Sequence, residues 1–316
     1  MTSATARSGT IPVLSLREAP TPLSEALFDS FRTFGFAMVA DHGIASDLIA
    51  SGWDAARDFF ALPEAQKRIF HDPQGHGARG YTPFGTEIAK GAEVHDLKEF
   101  WHVGRDGAPA LPANVWPDRP ARFREACLAL YAEFDRVGRA LLSHIAPALD
   151  LPRDWFDPVV REGNSVLRLL HYPPIPAEAT GAMRAGPHED INLITLLLGA
   201  EEAGLELLGK DGRWIAVSPP DGALVVNIGD MMQRLTNHVL PSTTHRVRNP
   251  DGAPAYRSRY SMPYFVHPRS DFAIATLPGC VSQETPDLYP EPILAGDYLA
   301  IRLKEIGLAG RVPSIK

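Results

Sequence analysis

Residues 187–198 read PHEDINLITLLL, a polar tripeptide followed by a short apolar run. The run Ile194–Leu198 has the length of a buried β-strand and is too short for an amphipathic helix. Similar short runs, broken by Gly, Pro and Asp, recur along the second half of the chain. They are Val166–Leu170, Leu205–Leu208, Trp214–Val217, Ala223–Ile228 and Arg259–Val266. Evenly spaced short strands predict a β-sandwich or a jelly roll.

The first half of the chain has helical periodicity instead. Leu23, Leu27 and Phe31 recur at the spacing of one helix face, and residues 119–147 predict the longest helix. Residues 73–97 are rich in Gly and polar side chains and predict a long ordered loop, a kind of loop that is usually functional. A last helix is predicted over about 296–306. We therefore predict an α+β fold, in which a double-stranded β-helix (jelly-roll) core packs against a mainly helical N-terminal region.

Composition excludes several classes of protein. The chain has 316 residues, of which 45% are apolar and 22% charged, so it is neither disordered nor collagen-like. A net charge of −7 without a block of Lys or Arg disfavours nucleic acid as a partner. No apolar run approaches the ~18 residues that cross a bilayer, and the N-terminus lacks the apolar centre of a secretory signal. Two distant cysteines fit a reducing compartment, so we expect a cytoplasmic protein with no membrane partner.

Three polar residues beside the predicted strands can share one site. In an extended strand, residues i and i+2 point to the same face, so His188 and Asp190 can face one cavity while Glu189 faces away. His245 can arrive from a neighbouring strand. Two imidazoles and one carboxylate form the facial triad of non-heme Fe(II) oxygenases, which leaves positions open for O2 and a co-substrate. His-x-Asp alone is a common chance match, and a zinc hydrolase site with the same ligand types is an alternative.

A second motif, RYSMPYFV at 259–266, favours the oxygenase. Strand alternation puts Arg259 and Ser261 on one face and the residues between them on the other. A buried arginine needs an anionic partner, and guanidinium pairs bidentately with carboxylate. A dicarboxylate such as 2-oxoglutarate fits, with its 2-oxo acid end on iron and its distal carboxylate at Arg259 and Ser261. A protein carboxylate at a sheet edge is the alternative partner for the arginine.

Together these motifs resemble the isopenicillin N synthase-like family of Fe(II)/2-oxoglutarate dioxygenases. In the C-terminal half the likeness is carried by LRLLHYPP (167–174), PHEDINLITLLL (187–198), DGRWIAVSPPDGALVVNIGDMMQRLTN (211–237), STTHRV (242–247) and RYSMPYF (259–265). In the N-terminal half it is carried by IPVLSL, FRTFGFAMVADHGI, FFALPEAQKRIF and DLKEFWHVG. The ordered combination covers nearly the whole chain and is far more specific than any single piece.

The resemblance implies a role for individual residues. It assigns Fe(II) to His188, Asp190 and His245, and the distal carboxylate of 2-oxoglutarate to Arg259 and Ser261. Tyr172 stands where the family often places a tyrosine that helps to hold the co-substrate. Many plant members have an asparagine two residues earlier, where this chain has Leu170, so one polar contact to the co-substrate is missing here.

The resemblance also implies a division of the chain into segments. They are a flexible tail at 1–10, an N-terminal non-heme dioxygenase region at 11–150, a jelly-roll Fe(II)/2-oxoglutarate dioxygenase core at 151–275, and a C-terminal extension with the final helix at 276–316. No Pro/Ser-rich linker separates the two halves, so we expect them to share one hydrophobic core.

The implied activity consumes O2 and 2-oxoglutarate and releases succinate and CO2. The substrate is a small molecule, which is hydroxylated, desaturated or cyclised. Two alternatives remain: an oxidase of the same scaffold that does not consume 2-oxoglutarate, and a jelly-roll ligand-binding protein without catalysis. A complete triad together with Arg259 and Ser261 disfavours the second alternative, since a decayed site would show a substitution. The sequence does not identify the substrate or the oligomeric state.

Substrate contacts are expected from the segment 73–103 and from strand faces near the metal. The candidates are Tyr81, Phe84, Lys98, Trp101, His102, Asn192, Phe265 and His267. Each has a structural alternative: the large aromatic residues can be core, the histidines can be structural, and Lys98 can form a solvated pair with Glu99.

Overall fold

The computed structural model describes residues 10–73, 75, 77–87, 94–107, 111–175, 181–199, 204–250 and 252–305. Within this part of the chain the helices are α1 (Pro20–Phe34), α2 (Ser46–Phe60), α3 (Glu64–Lys67), α4 (Phe123–Ala148), α5 (Asp157–Val160), α6 (Asp230–Leu235) and α7 (Ala295–Glu305). Short 3-10 turns lie at Arg68–Phe70, Ala253–Tyr256 and Pro278–Cys280.

The strands of the same residues belong to three sheets. They are β1 (Val13–Ser15), β2 (Phe36–Ala40), β3 (Gly80–Thr82), β4 (Glu99–Gly104), β5 (Val166–Tyr172), β6 (Ala185–His188), β7 (Ile194–Leu198), β8 (Leu205–Leu208), β9 (Trp214–Ala216), β10 (Leu224–Ile228), β11 (His245–Val247), β12 (Arg259–Val266), β13 (Ala273–Ile274) and β14 (Ile293–Leu294). The large sheet has the order β1-β2-β10-β7-β12-β5-β4-β3, the small sheet β6-β11-β8-β9, and β13 pairs with β14. This two-sheet arrangement is the predicted jelly roll, and strands of the N-terminal region extend its large sheet at both edges.

Alternation along β12 shows how the large sheet separates two environments. Met262 and Tyr264 are buried in the main hydrophobic core with the helices. Arg259, Ser261 and Phe265 face the other way, into the space between the two sheets. The opposite faces predicted from the sequence for this strand are therefore confirmed.

The main core lies between the helices and one face of the large sheet. It joins Leu27 of α1, Phe59 of α2 and Phe134 of α4 to strand residues such as Leu196. Gly138 permits this close packing, because a β-carbon there would come within 2.9 Å of Val266. One core therefore spans the helical region and the jelly roll, as the missing linker predicts.

The other face of the large sheet packs against the small sheet. A second apolar cluster joins Phe36 and Leu170 of the large sheet to Leu207 and Val247 of the small one. The two sheets enclose a cavity of about 390 Å³. This volume lies near the lower end of the range for small-molecule sites, roughly 300–1,000 Å³.

The structure corrects two predicted elements. The long helix begins at Phe123 instead of residue 119, and Pro120 disfavours helical backbone at residue 119 itself. The loop predicted over 73–97 contains β3, and β4 follows it as a strand between β3 and β5. β3 has only three residues, too few to show the alternation of a strand in the sequence. Its pairing with β4 in the structure identifies it as the edge of the large sheet.

Both cysteines, Cys127 and Cys280, are free and buried. None of the described helices has the length and apolar composition needed to cross a bilayer.

Candidate active site

Two paired strands of the small sheet bring three potential metal ligands together. β6 ends at His188, β11 begins at His245, and these two residues are direct cross-strand partners. Asp190 follows His188 by two residues. One ligand atom from each of the three side chains lies within 4.8 Å of the others. Asp190 Oδ1 is 3.9 Å from Nε2 of each histidine, so the three predicted ligands converge.

Backbone carbonyls fix the orientation of both imidazoles. Nδ1 of His188 lies 2.8 Å from the carbonyl oxygen of Gly186, and Nδ1 of His245 lies 3.1 Å from that of Thr243. A carbonyl can only accept, so each Nδ1 carries the proton and each Nε2 presents its lone pair to the site. Burial and the neighbouring His245 lower the pKa of His188 to about 4. This histidine is therefore neutral at pH 7, as a metal ligand must be.

Hydrogen bonds also orient the carboxylate. Asp190 Oδ2 accepts from Thr195 Oγ1 (2.5 Å) and Asn227 Nδ2 (2.8 Å), which leaves Oδ1 directed to the histidines. Burial alone would raise the pKa of Asp190, but His245, His188 and these two hydrogen bonds lower it. The group is therefore a carboxylate with one oxygen held for a ligand, the arrangement that outer-shell hydrogen bonds commonly give to metal ligands.

The residues predicted to hold the co-substrate lie in the same cavity. Arg259 begins β12 and pairs with Tyr172 at the end of β5. The guanidinium carbon is 5.0 Å from the centroid of the Tyr172 ring. Ser261 is buried one strand repeat further on, opposite Leu170. All four residues line the cavity that contains the triad.

An ion cluster on the cavity wall includes Lys98. Its Nζ lies 2.5 Å from Glu87 and 2.8 Å from Asp96. Burial alone would lower the pKa of Lys98, but these two carboxylates raise it above its usual range. Asp96 also accepts the N–H of Gly186, in the strand that carries His188. The idea of a solvated pair of Lys98 with its neighbour Glu99 is wrong, since both are buried and each has other partners.

Arg168 joins this cluster to an aromatic pocket. Its guanidinium carbon lies 4.1 Å from the ring centroid of Phe100 and 5.2 Å from that of Phe265. Its Nε donates to Nε2 of His102 (2.5 Å), whose Nδ1 donates to the carbonyl of Gly77 (2.5 Å). Burial and the charge of Arg168 lower the pKa of His102 well below its ordinary value, so this imidazole is neutral.

The structure separates the eight substrate candidates into two groups. Those that line the cavity are Lys98, His102, Phe265 and His267. Tyr81 and Trp101 lie in the helix-side core beside Phe59. Asn192 donates to Thr195, the residue that binds the triad carboxylate, and Phe84 is partly exposed outside the cavity wall.

Several cavity residues are absent from the sequence-based predictions. They include Arg79, Glu87, Asp96, Arg168, Thr195 and Asn227. Arg168 had a usable signal, because it shares the face of Tyr172 at even spacing along one strand. The positions of the others depend on how separate segments meet. At the mouth of the cavity, Leu299, Arg302 and Leu303 of α7 complete the wall.

Known proteins that are similar to this chain belong to one group of oxygenases, and the similarity covers most of the chain. Residues 163–268 match the model of the 2OG-Fe(II) oxygenase superfamily, and residues 11–119 match that of the N-terminal region of the non-haem dioxygenases in morphine synthesis. Proline hydroxylase buaE of Petromyces alliaceus is 33% identical over 305 residues, which is 91% of this chain and 95% of that protein. The 2-oxoglutarate-Fe(II) type oxidoreductase hxnY of Emericella nidulans is 32% identical over 297 residues, 89% of this chain and 84% of that one.

Solved structures agree with these relatives. A 2OG-Fe(II) oxygenase family protein of Caulobacter crescentus superposes with a TM-score of 0.86 and 50% identity, over 94% of this chain and 99% of that one. A full-length Neurospora crassa protein in complex with alpha-KG and thymine gives a TM-score of 0.84 with 28% identity, over 93% and 96% of the two chains. The likeness therefore extends over both the helical region and the jelly roll.

Proposed function

The chain belongs to the 2OG-Fe(II) oxygenase superfamily, and we propose that it binds Fe(II) through His188, Asp190 and His245. It is a 2-oxoglutarate-dependent dioxygenase that uses Fe(II), 2-oxoglutarate and O2. The observation that carries the ligand assignment is the convergence of two Nε2 atoms and one carboxylate oxygen within 4.8 Å. Their protonation fits the metal, since both imidazoles present lone pairs and the carboxylate is ionised.

The bound iron, with 2-oxoglutarate and O2, supplies the oxidation of a small-molecule substrate by hydroxylation, desaturation or cyclisation, with release of succinate and CO2. The protein orients the proposed metal ligands and keeps water away from them. Thr195 and Asn227 hold Asp190 in place, and the carbonyls of Gly186 and Thr243 hold the histidines. Apolar side chains on both sheets exclude water around these groups.

We assign the co-substrate to Arg259, Ser261 and Tyr172. The Arg259 guanidinium is buried and would pair bidentately with the distal carboxylate, to which the Ser261 hydroxyl would donate. Tyr172 supports the guanidinium with its ring and lines the same cavity. Leu170 lies opposite Ser261 and gives the co-substrate an apolar contact where many plant members offer an amide.

The three segments of the chain have separate tasks in this proposal. Residues 11–150 support the large sheet with helices and add β4 to the cavity wall. Residues 151–275 carry the proposed metal and co-substrate ligands. Residues 276–316 include α7, which closes part of the cavity mouth. The two free, buried cysteines support our placement of the enzyme in the cytoplasm.

The relatives support a small substrate. The Neurospora crassa protein has been crystallised with thymine and with 5-formyluracil, and buaE is named for proline. A cavity of about 390 Å³ that also holds 2-oxoglutarate leaves room for a substrate of similar size.

Asp190→Asn tests the metal assignment because it keeps the size of the side chain and removes its charge. We expect the wild type to bind one Fe(II) per chain and to form succinate from 2-oxoglutarate in air. The variant should lose both, while Asp135→Asn, which changes an aspartate paired with Arg105 on the helix side, should keep both. Full iron binding by Asp190→Asn would refute the ligand set, and iron binding without use of 2-oxoglutarate by the wild type would favour an oxidase.

A further inference from the structure

Arg79 is a buried cation on the cavity wall. The residue is 6% exposed and precedes β3. Its Nη1 donates to the carbonyl of Ala78 (2.7 Å) and its Nη2 to Oδ1 of Asn164 (3.0 Å), and both acceptors are neutral. The guanidinium lies against β4 at Gly104, where a β-carbon would overlap it. The fold therefore makes room for this side chain at the cavity.

No carboxylate of the described residues lies within ion-pair distance of Arg79, and its buried Nε has no hydrogen-bond partner among them. Other cavity cations do have such partners. Lys98 lies against Glu87 and Asp96, Arg168 lies 3.4 Å from Glu87, and Arg302 lies 3.0 Å from Asp230. Arg259 is the proposed partner of the co-substrate.

An uncompensated charge in this place is costly. An arginine cannot release its proton, and an isolated ion in a low-dielectric interior is strongly disfavoured. Burial acts against the charged form and lowers the pKa of Arg79, and the Tyr131 hydroxyl is the ionisable neighbour that opposes it. An anionic ligand in the cavity would supply the missing counter-charge.

Two neutral polar side chains line the same cavity as the guanidinium. Asn164 shares a hydrogen bond with Arg79 and lines the cavity. His267 follows β12, is 8% exposed and also lines the cavity, and its imidazole forms no hydrogen bond with the described residues. Burial lowers the pKa of His267 to about 4, while the charge of Asp190 acts to raise it and that of Arg79 to lower it. His267 therefore shares the cavity with both the triad and Arg79.

We propose that Arg79 binds a carboxylate of the substrate, with Asn164 and His267 as neutral hydrogen-bonding groups beside it. The substrates are then small organic acids. This inference rests on the proposed function, because the triad defines where the substrate is oxidised. A carboxylate fits better than a phosphate monoester, since the single charge of Arg79 matches a monoanion and a phosphate carries about −1.5 to −2.

The test uses fragments small enough to enter the subsite whatever the shape of the true substrate. The enzyme is loaded anaerobically with Fe(II) and 2-oxoglutarate at constant ionic strength. It is then titrated with formate, acetate, propionate and benzoate, and with formamide, acetamide, propionamide and benzamide. Binding is followed by the change in the visible charge-transfer band and by the thermal midpoint. We expect each acid to bind at least tenfold more tightly than its amide.

Variants show whether Arg79 is the cause. Arg79→Gln should lose the preference for acids and still form the charge-transfer band, whereas Arg79→Lys should keep part of the preference. Arg105→Gln is the matched control, because Arg105 is paired with Asp135 on the helix side. The control should prefer acids as the wild type does, and acids that bind directly to iron would bind equally to all variants.

The outcomes separate the two proposals. Amides that bind as tightly as acids, an absence of acid binding, or an unchanged acid preference in Arg79→Gln would each overturn the inference. A wild type without the charge-transfer band would instead overturn the proposed function, and acid binding would then be read from the thermal midpoint of the metal-free protein. If Arg79→Gln does not fold, the wild-type ratio of acid to amide affinity and its value in Arg79→Lys decide.

Discussion

The helix side of the large sheet and the cavity between the two sheets carry similar polar residues with different surroundings. On the helix side, Glu99 binds Nζ of Lys67 at 2.7 Å, Nδ1 of His171 at 2.6 Å and the hydroxyl of Tyr81. On the cavity side, the histidine Nε2 atoms and the free oxygen of Asp190 point towards one another. Protein groups satisfy the helix-side network, while the cavity side keeps ligand atoms directed at a common point. The two places therefore differ in whether protein groups already occupy the polar atoms, and not in the types of residue. Atoms that are occupied form a structural cluster, and atoms that are left available form a candidate site.

The largest effect is expected on iron binding, from His188→Ala in the cavity. Changing an outer-shell partner of a metal ligand commonly weakens metal binding by about 10–100-fold, so removing a ligand should weaken it by more than 100-fold. Iron content after desalting measures this loss. The unfolding midpoint of the metal-free protein should change little, and a variant that retains one iron per chain would contradict the comparison.

Glu99→Ala on the helix face should have the opposite signature. It leaves Lys67 buried with only the more distant Glu64 carboxylate, at 3.5 Å. Removing one partner of a buried pair costs about 3–5 kcal/mol, and the remaining partner puts the expected loss near 3 kcal/mol. Urea unfolding measures it. The folded variant should bind iron normally, and a loss of iron at full stability would show that this face belongs to the site.

Arg259→Ala sharpens the assignment within the cavity. We expect 2-oxoglutarate to bind more weakly, with its binding free energy less favourable by about 1.5–3 kcal/mol, the value of hydrogen bonds to charged groups. Iron affinity should change little. Anaerobic titration of the iron-loaded protein gives both constants. Arg259→Lys should recover part of the affinity. An unchanged Kd for 2-oxoglutarate in Arg259→Ala would remove Arg259 from the proposed pocket.

The smallest expected effect is the pH dependence contributed by His267. Its pKa is about 4 in the folded protein and about 6.5 in an unfolded chain. The unfolded state therefore binds more protons between these values. The stabilising contribution is present above pH 6.5 and is lower by about 1.4 kcal/mol at about pH 5.5, one unit below, where the slopes are compared. Denaturant titrations of metal-free His267→Asn should show a shallower decline than the wild type, and parallel curves would contradict this.

The sequence predicts the triad because its logic is local. His188 and Asp190 are two residues apart in extended backbone, and the alternation along β12 places Arg259 and Ser261 on one face. Neither inference needs the tertiary fold. The family resemblance then supplies the pairing of His245 with them, which the antiparallel register of β6 and β11 explains.

The sequence cannot predict which side chains of β3 and β4 face the cavity. Tyr81 and Trp101 were expected near the substrate, yet they point to the helices, because β3 and β4 pair as strands and fix the direction of every second side chain. The significance of Arg79 is also invisible in the sequence. Carboxylates of the described residues pair with the cavity cations Lys98, Arg168 and Arg302, whereas none of them pairs with Arg79. This difference is a property of the folded chain.

Two histidines of equal burial, one in the cavity and one on the helix side of the large sheet, provide the most direct test. His245 and His171 are each 7% exposed. Metal-free wild type, His245→Ala and His171→Ala are titrated anaerobically with Fe(II) and then with 2-oxoglutarate, and the visible charge-transfer band of the chelate is recorded. We expect the band in the wild type and in folded His171→Ala, and no band in His245→Ala. A band of wild-type intensity in His245→Ala, or its loss only in His171→Ala, would contradict the assignment of the site to the cavity between the sheets.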